Sequence, residues 1–197
     1  MENEDKNVVA SDMYRLLSQA IAYPDAERHE RVREMLLSLD SVDLPDRKWT
    51  DIVRKLRLLH PDATTLQTEY SRVFIQGGLA ITESHVLSRY NAVSEVSAFY
   101  AAFGLSPKSG ETPDSLMYQL EFAAVLKLKE SLARDKESAS VTREIFSGFL
   151  TGHLTEFAGK FNEMMQNGDA LPYYKTLTES ILAFVEADSL LYNSVTQ

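Results

Sequence analysis

Apolar positions recur at helical spacing along nearly the whole chain. Val9, Met13, Leu16, Leu17, Ala20 and Ile21 form one stripe, which Tyr23-Pro24 stops. A charged helix follows from about Asp25 to Leu39, with Val32, Met35, Leu36 and Leu39 on its apolar side. Trp49, Ile52, Val53, Leu56 and Leu59 predict a third helix closed by His60-Pro61, and Leu66, Tyr70, Val73 and Phe74 a fourth ending before Gly77-Gly78. Val93, Val96, Phe99, Tyr100 and Phe103 mark a segment from about Ser88 to Phe103, and Met117, Leu120, Ala124, Leu128 and Leu132 one from Pro113 to about Lys136. From about Ser140 a long helix carries Ile145, Phe149, His153, Phe157, Phe161 and Met164 up to the Asn167-Gly168-Asp169 turn. Tyr174, Leu177, Ile181, Phe184 and Val185 define the last.

No segment alternates with period two for long enough to suggest a sheet. The pattern predicts an all-α fold, a single compact helical domain of about eight or nine helices spanning residues 11–188. Residues 1–10 are expected to be a flexible acidic N-terminus and residues 189–197 a C-terminal tail. The longest irregular stretches, near 76–87 and 104–112, are candidates for function, since long loops are uncommon in compact helical domains.

Composition removes several function classes. A net charge of −9 argues against general binding to phosphate backbones, which depends on Lys and Arg, and favours a basic partner. The absence of cysteine excludes disulfides, thiolate zinc sites and cysteine-ligated iron–sulfur clusters. Met1-Glu2-Asn3-Glu4-Asp5 is acidic where a signal peptide starts basic, and no apolar run approaches the ~20 residues of a membrane span, so the chain reads as cytoplasmic.

Catalytic patterns are missing. There is no dinucleotide fingerprint, no phosphate-binding loop around Gly159-Lys160 and no Gly-x-Ser-x-Gly elbow. Glu27-Arg28-His29 and Glu83-Ser84-His85 lack the spacing of a di-iron ligand pair. No catalytic or metal-binding residue is assigned, and the protein is read as carrying no stably bound cofactor. His153, four residues from both Phe149 and Phe157, is better read as a hydrogen-bonded core histidine than as a ligand. Arg54, Lys55 and Arg57 read as a solvated helix face and not as a nucleic-acid contact.

The segment from Glu83 to Glu130 points to binding instead of chemistry. Its aromatic helix stops at Gly104, and Pro113-Asp114 heads an amphipathic one. Such a helix head offers free backbone N–H groups, a carboxylate and an apolar flank, which suits holding a peptide.

The order of motifs resembles the TorD/DmsD/NarJ family of cytoplasmic maturation chaperones for molybdoenzymes. The resemblance rests on Tyr23-Pro24, Glu69-Tyr70-Ser71-Arg72-Val73-Phe74, Glu83-Ser84, Ala98-Phe99-Tyr100 through Phe103-Gly104-Leu105, and Pro113-Asp114 opening Leu120-Glu121-Phe122. It continues with His153-Leu154 and Phe157, then Pro172-Tyr173-Tyr174. The chain departs from the family at Ser115, where histidine is common, at Gln119, where an acidic residue is frequent, and at Phe157, where tryptophan is frequent.

The resemblance implies a system-specific chaperone, not an enzyme. It would bind the apo catalytic subunit of a molybdopterin oxidoreductase, through a twin-arginine leader or a terminal segment, and assist cofactor insertion before assembly or export. The implied partners exclude nucleic acid and membrane insertion, the protein would be a monomer or homodimer, and contact with the client's molybdopterin cofactor would be transient. The implied peptide site has Tyr70 and Phe74 as its apolar wall, Glu83 and Asp114 as carboxylates for leader arginines, and Ser84, Ser115, Leu116 and Tyr118 around the helix mouth. A helical adaptor outside redox maturation is the alternative.

Overall fold

The computed structural model describes the backbone of residues 2–108 and 110–193, and side chains over 6–108 and 110–190. The described residues form ten α-helical segments and no strand beyond one isolated bridge between Thr82 and Ser115. They are α1 (Glu2–Ile21), α2 (Ala26–Asp40), α3 (Arg47–Leu59), α4 (Ala63–Tyr70), α5 (Glu83–Val86), α6 (Ala92–Ala102), α7 (Leu116–Ser131), α8 (Lys136–Phe149), α9 (Thr155–Asn167) and α10 (Pro172–Asn193). A π-helical stretch, Ser71–Gln76, extends α4, and another, Leu150–Leu154, joins α8 and α9 into one rod.

Aspartates start several helices as local chemistry dictates. Asp25, Asp46, Asp62 and Asp135 each accept a backbone N–H of the first turn, so α8 begins at Lys136, earlier than its apolar stripe suggests. Two boundaries differ for tertiary reasons. Residues 114–116 pair with 81–83, through Leu116 N–H to the Ile81 carbonyl (3.0 Å) and Glu83 N–H to the Asp114 carbonyl (3.0 Å). Pro113 and Asp114 therefore lie outside α7, and Ser115 is its N-cap. α5 sits within the stretch expected to be irregular, and residues 88–91 are a turn instead of the start of α6. α1 already begins at Glu2, covering most of the stretch expected to be a flexible terminus. The expected tail falls partly within α10 and partly, at 194–197, outside the described residues.

α1 and α7 form the spine. Ser11 Oγ donates to the Ala124 carbonyl (2.8 Å) and Ser18 Oγ to that of Met117 (3.0 Å), so one heptad forward on α1 is one heptad back on α7. The pair is antiparallel, and two hydroxyls satisfied at buried carbonyls fix its register. Around it lie Met13, Tyr14, Leu17, Leu120, Ala123 and Ala124, all essentially inaccessible to solvent. α10 packs along α9 and reaches α1, α3 and α8, where Phe184 meets Tyr14 and Trp49 edge-on, with ring centroids 4.7 and 5.1 Å apart.

One ion pair crosses this core. Lys127 on α7 lies 3.0–3.1 Å from Asp188 on α10, both about 2% exposed, with its ammonium over the Phe146 ring. Burial pulls the lysine pKa down, and the Asp188 charge opposes that shift. Lys127→Met is expected to lose about 3–5 kcal/mol in urea unfolding, because it strands a buried carboxylate. The double variant Lys127→Met/Asp188→Leu should regain most of that loss; a double as unstable as the single would show that packing, not charge, sets the cost.

Candidate functional site

The loops before α6 and α7 meet at the Glu83 carboxylate, which is wholly buried. Three side chains converge on it. His153, in the π-helical turn between α8 and α9, places Nδ1 3.0 and 3.1 Å from the two carboxylate oxygens. Gln119 on α7 donates Nε2 at 2.7 Å, and Arg89 in the turn before α6 donates Nη1 at 3.2 Å. Burial pushes the Glu83 pKa up, but the bonds from His153, Gln119 and Arg89 outweigh it and the net direction is down. His153 is thus a hydrogen-bonded core residue, as its position between two phenylalanines predicts.

Asp114 is also wholly buried, and its Oδ2 accepts the Ser84 N–H at 2.7 Å. The same turn is tied by Tyr100, whose hydroxyl donates to the Pro113 carbonyl (2.9 Å). Tyr100 is buried and its phenol pKa is raised, first by burial and then by the Asp114 and Glu83 charges. Sequence alone places Asp114 exposed at a helix start; its contacts make it a fastener between loops. Glu83, expected to face a leader's arginine, meets an arginine of its own chain. Leu116 is fully buried and Ser115 is 9% exposed, so both belong to the fastening and not to an open mouth.

Tyr70 and Phe74 are half-buried with ring centroids 4.6 Å apart, and Tyr70 meets the exposed Tyr23 edge-on at 5.4 Å. Their helix is anchored by Glu69, which pairs with Arg72 (2.8 and 2.9 Å) and accepts the Leu171 N–H at 2.6 Å. The π-helical turn ends at Gly77, where a Cβ would stand 2.7 Å from the Val73 carbonyl oxygen. Glycine is required there by close approach.

Beside this aromatic face a groove of about 360 Å³ opens between α1, α2, α7 and the loop after α6. Its apolar lining is Leu105, Pro107, Met117, Phe122 and Val125, and its polar rim includes Arg28, Arg31, Lys108, Tyr118 and Glu121. Arg28 and Glu111 act electrostatically on both Tyr70 and Tyr118, whose phenol pKa values are raised chiefly by burial. The structure therefore brings Glu83, Ser84, Asp114, Ser115 and Leu116 together in the buried knot, and places Tyr70 and Phe74 on a half-buried aromatic face and Tyr118 on the rim of the groove. Sequence reasoning missed Arg89, the knot role of Gln119 and the Leu105–Lys108 wall. Arg89 carried a signal, as the only Lys or Arg between Arg72 and Lys108.

Among the described residues no group of three or more His, Asp or Glu is arranged to hold a metal ion, and no helix is long and apolar enough to cross a membrane.

The knot makes stability pH-dependent with a definite sign. The folded Glu83 pKa lies below the ordinary 4.5, so its contribution is complete above that value and is lost as pH falls through the folded one. His60, pushed down to about 4 by burial and then by His29 and Arg33, adds its own acid destabilisation below 6.5. The difference between wild type and Glu83→Gln isolates the carboxylate: it should be largest near neutrality and shrink below pH 4.5. Glu83→Ala should cost about 3–5 kcal/mol in chemical unfolding, since it leaves buried partners unmet. A difference that does not vary with pH would mean the buried carboxyl is not ionised.

Residues 39–163 match the nitrate reductase delta subunit family. The chain is also 30% identical over 169 residues to a selenate reductase assembly chaperone protein of Thauera selenatis, an alignment covering 80% of this chain and 77% of that protein. The match spans the Tyr70–Phe74 face, the Glu83–His153 knot and the groove wall. The chain belongs to the nitrate reductase delta subunit family, the NarJ/TorD type of molybdoenzyme maturation chaperone.

Proposed function

We propose that this protein is a cytoplasmic assembly chaperone for the catalytic subunit of a molybdopterin-containing oxidoreductase. It binds the apo-subunit through a twin-arginine leader or a terminal segment, holds it while the cofactor is inserted, and performs no chemistry of its own. The observation that carries this reading is the likeness to a selenate reductase assembly chaperone along 80% of the chain. The geometry supports a binding role. The open groove takes a few side chains and not a folded domain, and a semi-apolar wall with a polar rim suits an extended or helical peptide. Tyr118 stands on the groove's rim, and Tyr70 and Phe74 would extend the binding face beside it, while the buried knot keeps the neighbouring loops in place. In this reading any cofactor contact belongs to the client and is transient.

Peptide binding of this kind draws more on apolar burial, at ~25 cal/mol per Å², than on exposed ion pairs screened by salt. Titration calorimetry with a client leader should show affinity falling only partly between low and high salt. It should fall sharply when the leader's apolar residues become serine, and also with Tyr118→Ala. A deletion strain should keep the client polypeptide but lose its molybdenum cofactor. A client that acquires full cofactor and activity without this protein contradicts the proposal.

A further inference from the structure

The arginine that meets Glu83 is held in a way its own loop does not require. Arg89 is already fixed by its backbone, through its N–H to the Ser84 carbonyl (3.0 Å) and its carbonyl to the Ala92 N–H (3.2 Å). Its side chain nevertheless reaches three acceptors from two other parts of the fold. Nη1 bonds Glu83 Oε1 (3.2 Å) and the Gly152 carbonyl (2.9 Å), and Nη2 pairs with Glu156. Two carboxylates and a carbonyl set around a planar fork make a guanidinium site, because only that group offers five donors in a fixed plane.

Three further observations suggest that Arg89 is a replaceable occupant. The Arg89 side chain is 32% exposed and Glu156 is 60% exposed, so the site opens to solvent although Glu83 at its base does not. The knot also holds acceptors in excess, with Asp114 Oδ1 and Gln119 Oε1 both buried and without a partner in the structure. Finally, the turn is strained and presents an anchor. Ser88 sits at φ 54°, in the left-handed region, and Tyr90 is 97% exposed beside Arg89. A fully exposed tyrosine at the rim of a charged site is the kind of residue that anchors an interface.

We propose that Glu83, the Gly152 carbonyl and Glu156 form a guanidinium-binding site that Arg89 fills in the unbound protein and an arginine of the client segment takes over. The site stands on the contacts described; the identity of the incoming arginine rests on the reading under Proposed function. The exchange leaves the buried carboxylate neutralised throughout, since one guanidinium replaces another, and frees Arg89 to the surface. An incoming lysine would supply charge without the fork and would not displace it.

Two measurements test this separately. In the first, Arg89→Ala lowers Tm, and millimolar methylguanidinium restores most of the loss, with little effect on wild type or on Arg89→Ala/Glu83→Gln. No rescue overturns the site. In the second, a synthetic peptide with a twin-arginine pair and an apolar stretch is titrated against both proteins. If Arg89 holds the site at least nine-tenths of the time, its removal tightens the arginine peptide by ~10-fold and leaves the Lys-Lys counterpart unchanged. Equal or weaker binding of the arginine peptide by Arg89→Ala overturns the exchange while leaving the chaperone reading intact. Failure of wild type and variant alike to bind any client segment overturns both the exchange and that reading, with the rescue still judging the site. Should Arg89→Ala not fold, Arg89→Lys, which keeps the charge and loses the fork, is measured in its place with the same expectations.

Discussion

A carboxylate with no exposure to water must be met by donors, and that requirement at Glu83 organises the loops before α6 and α7. Its donors come from α7, from the turn before α6 and from the π-helical turn between α8 and α9. Each would be unremarkable alone. Together they pull two loops onto the helical rods and leave the bridge between Thr82 and Ser115 as the one place where extended segments pair among the described residues. The knot's side chains also serve the loop backbone: Asp114 accepts the Ser84 N–H, and Tyr100 donates to the Pro113 carbonyl.

The open face follows from the same constraint. With Pro113 and Asp114 held down, the loop after α6 is fixed at its far end, and Gly104, at φ 68°, turns the chain back at the near end. Leu105 to Lys108 then stand as a wall opposite α7 and α2. On the other side, the Glu69–Arg72 pair ties the helix that carries Tyr70 and Phe74 to the loop before α10. Two charged fasteners thus flank the groove and the half-buried pair Tyr70 and Phe74, with Phe74 packed inward on Phe161 and Tyr174. Under the proposed function, a preformed surface on a rigid support would lower the ordering cost of binding a segment.

Much of this was legible in the chain. Helical periodicity located nearly every rod, whereas the Asp135 cap that starts α8 went unread. His153 was readable as a core histidine because it interrupts a phenylalanine stripe. What the chain did not report is that Glu83 and Asp114, expected as carboxylates for leader arginines, are wholly buried. Glu83 and Asp114 lie near glycine and proline in polar stretches, which is the local signature of exposure. Their burial depends on Arg89, Gln119 and His153, residues 6, 36 and 70 positions away from Glu83, and no local pattern reports that. Gln119 shows how a single departure carries information. A carboxylate at that position would lie against Glu83 and require a shared proton, whereas the amide donates to it. The π-helical turns were illegible for a related reason, since an extra residue in a turn is set by what the turn packs against.

Amide hydrogen exchange reads the knot and the face in one experiment. The Glu83, Ser84 and Leu116 amides, each donating to a partner in the paired loops, should exchange as slowly as the core of α7. Adding a client's leader peptide should bring new protection to the stretches around Tyr70–Phe74 and 104–118. Rapid exchange at those three amides, or peptide-induced protection confined to other surfaces such as the basic face of α3, would contradict the account.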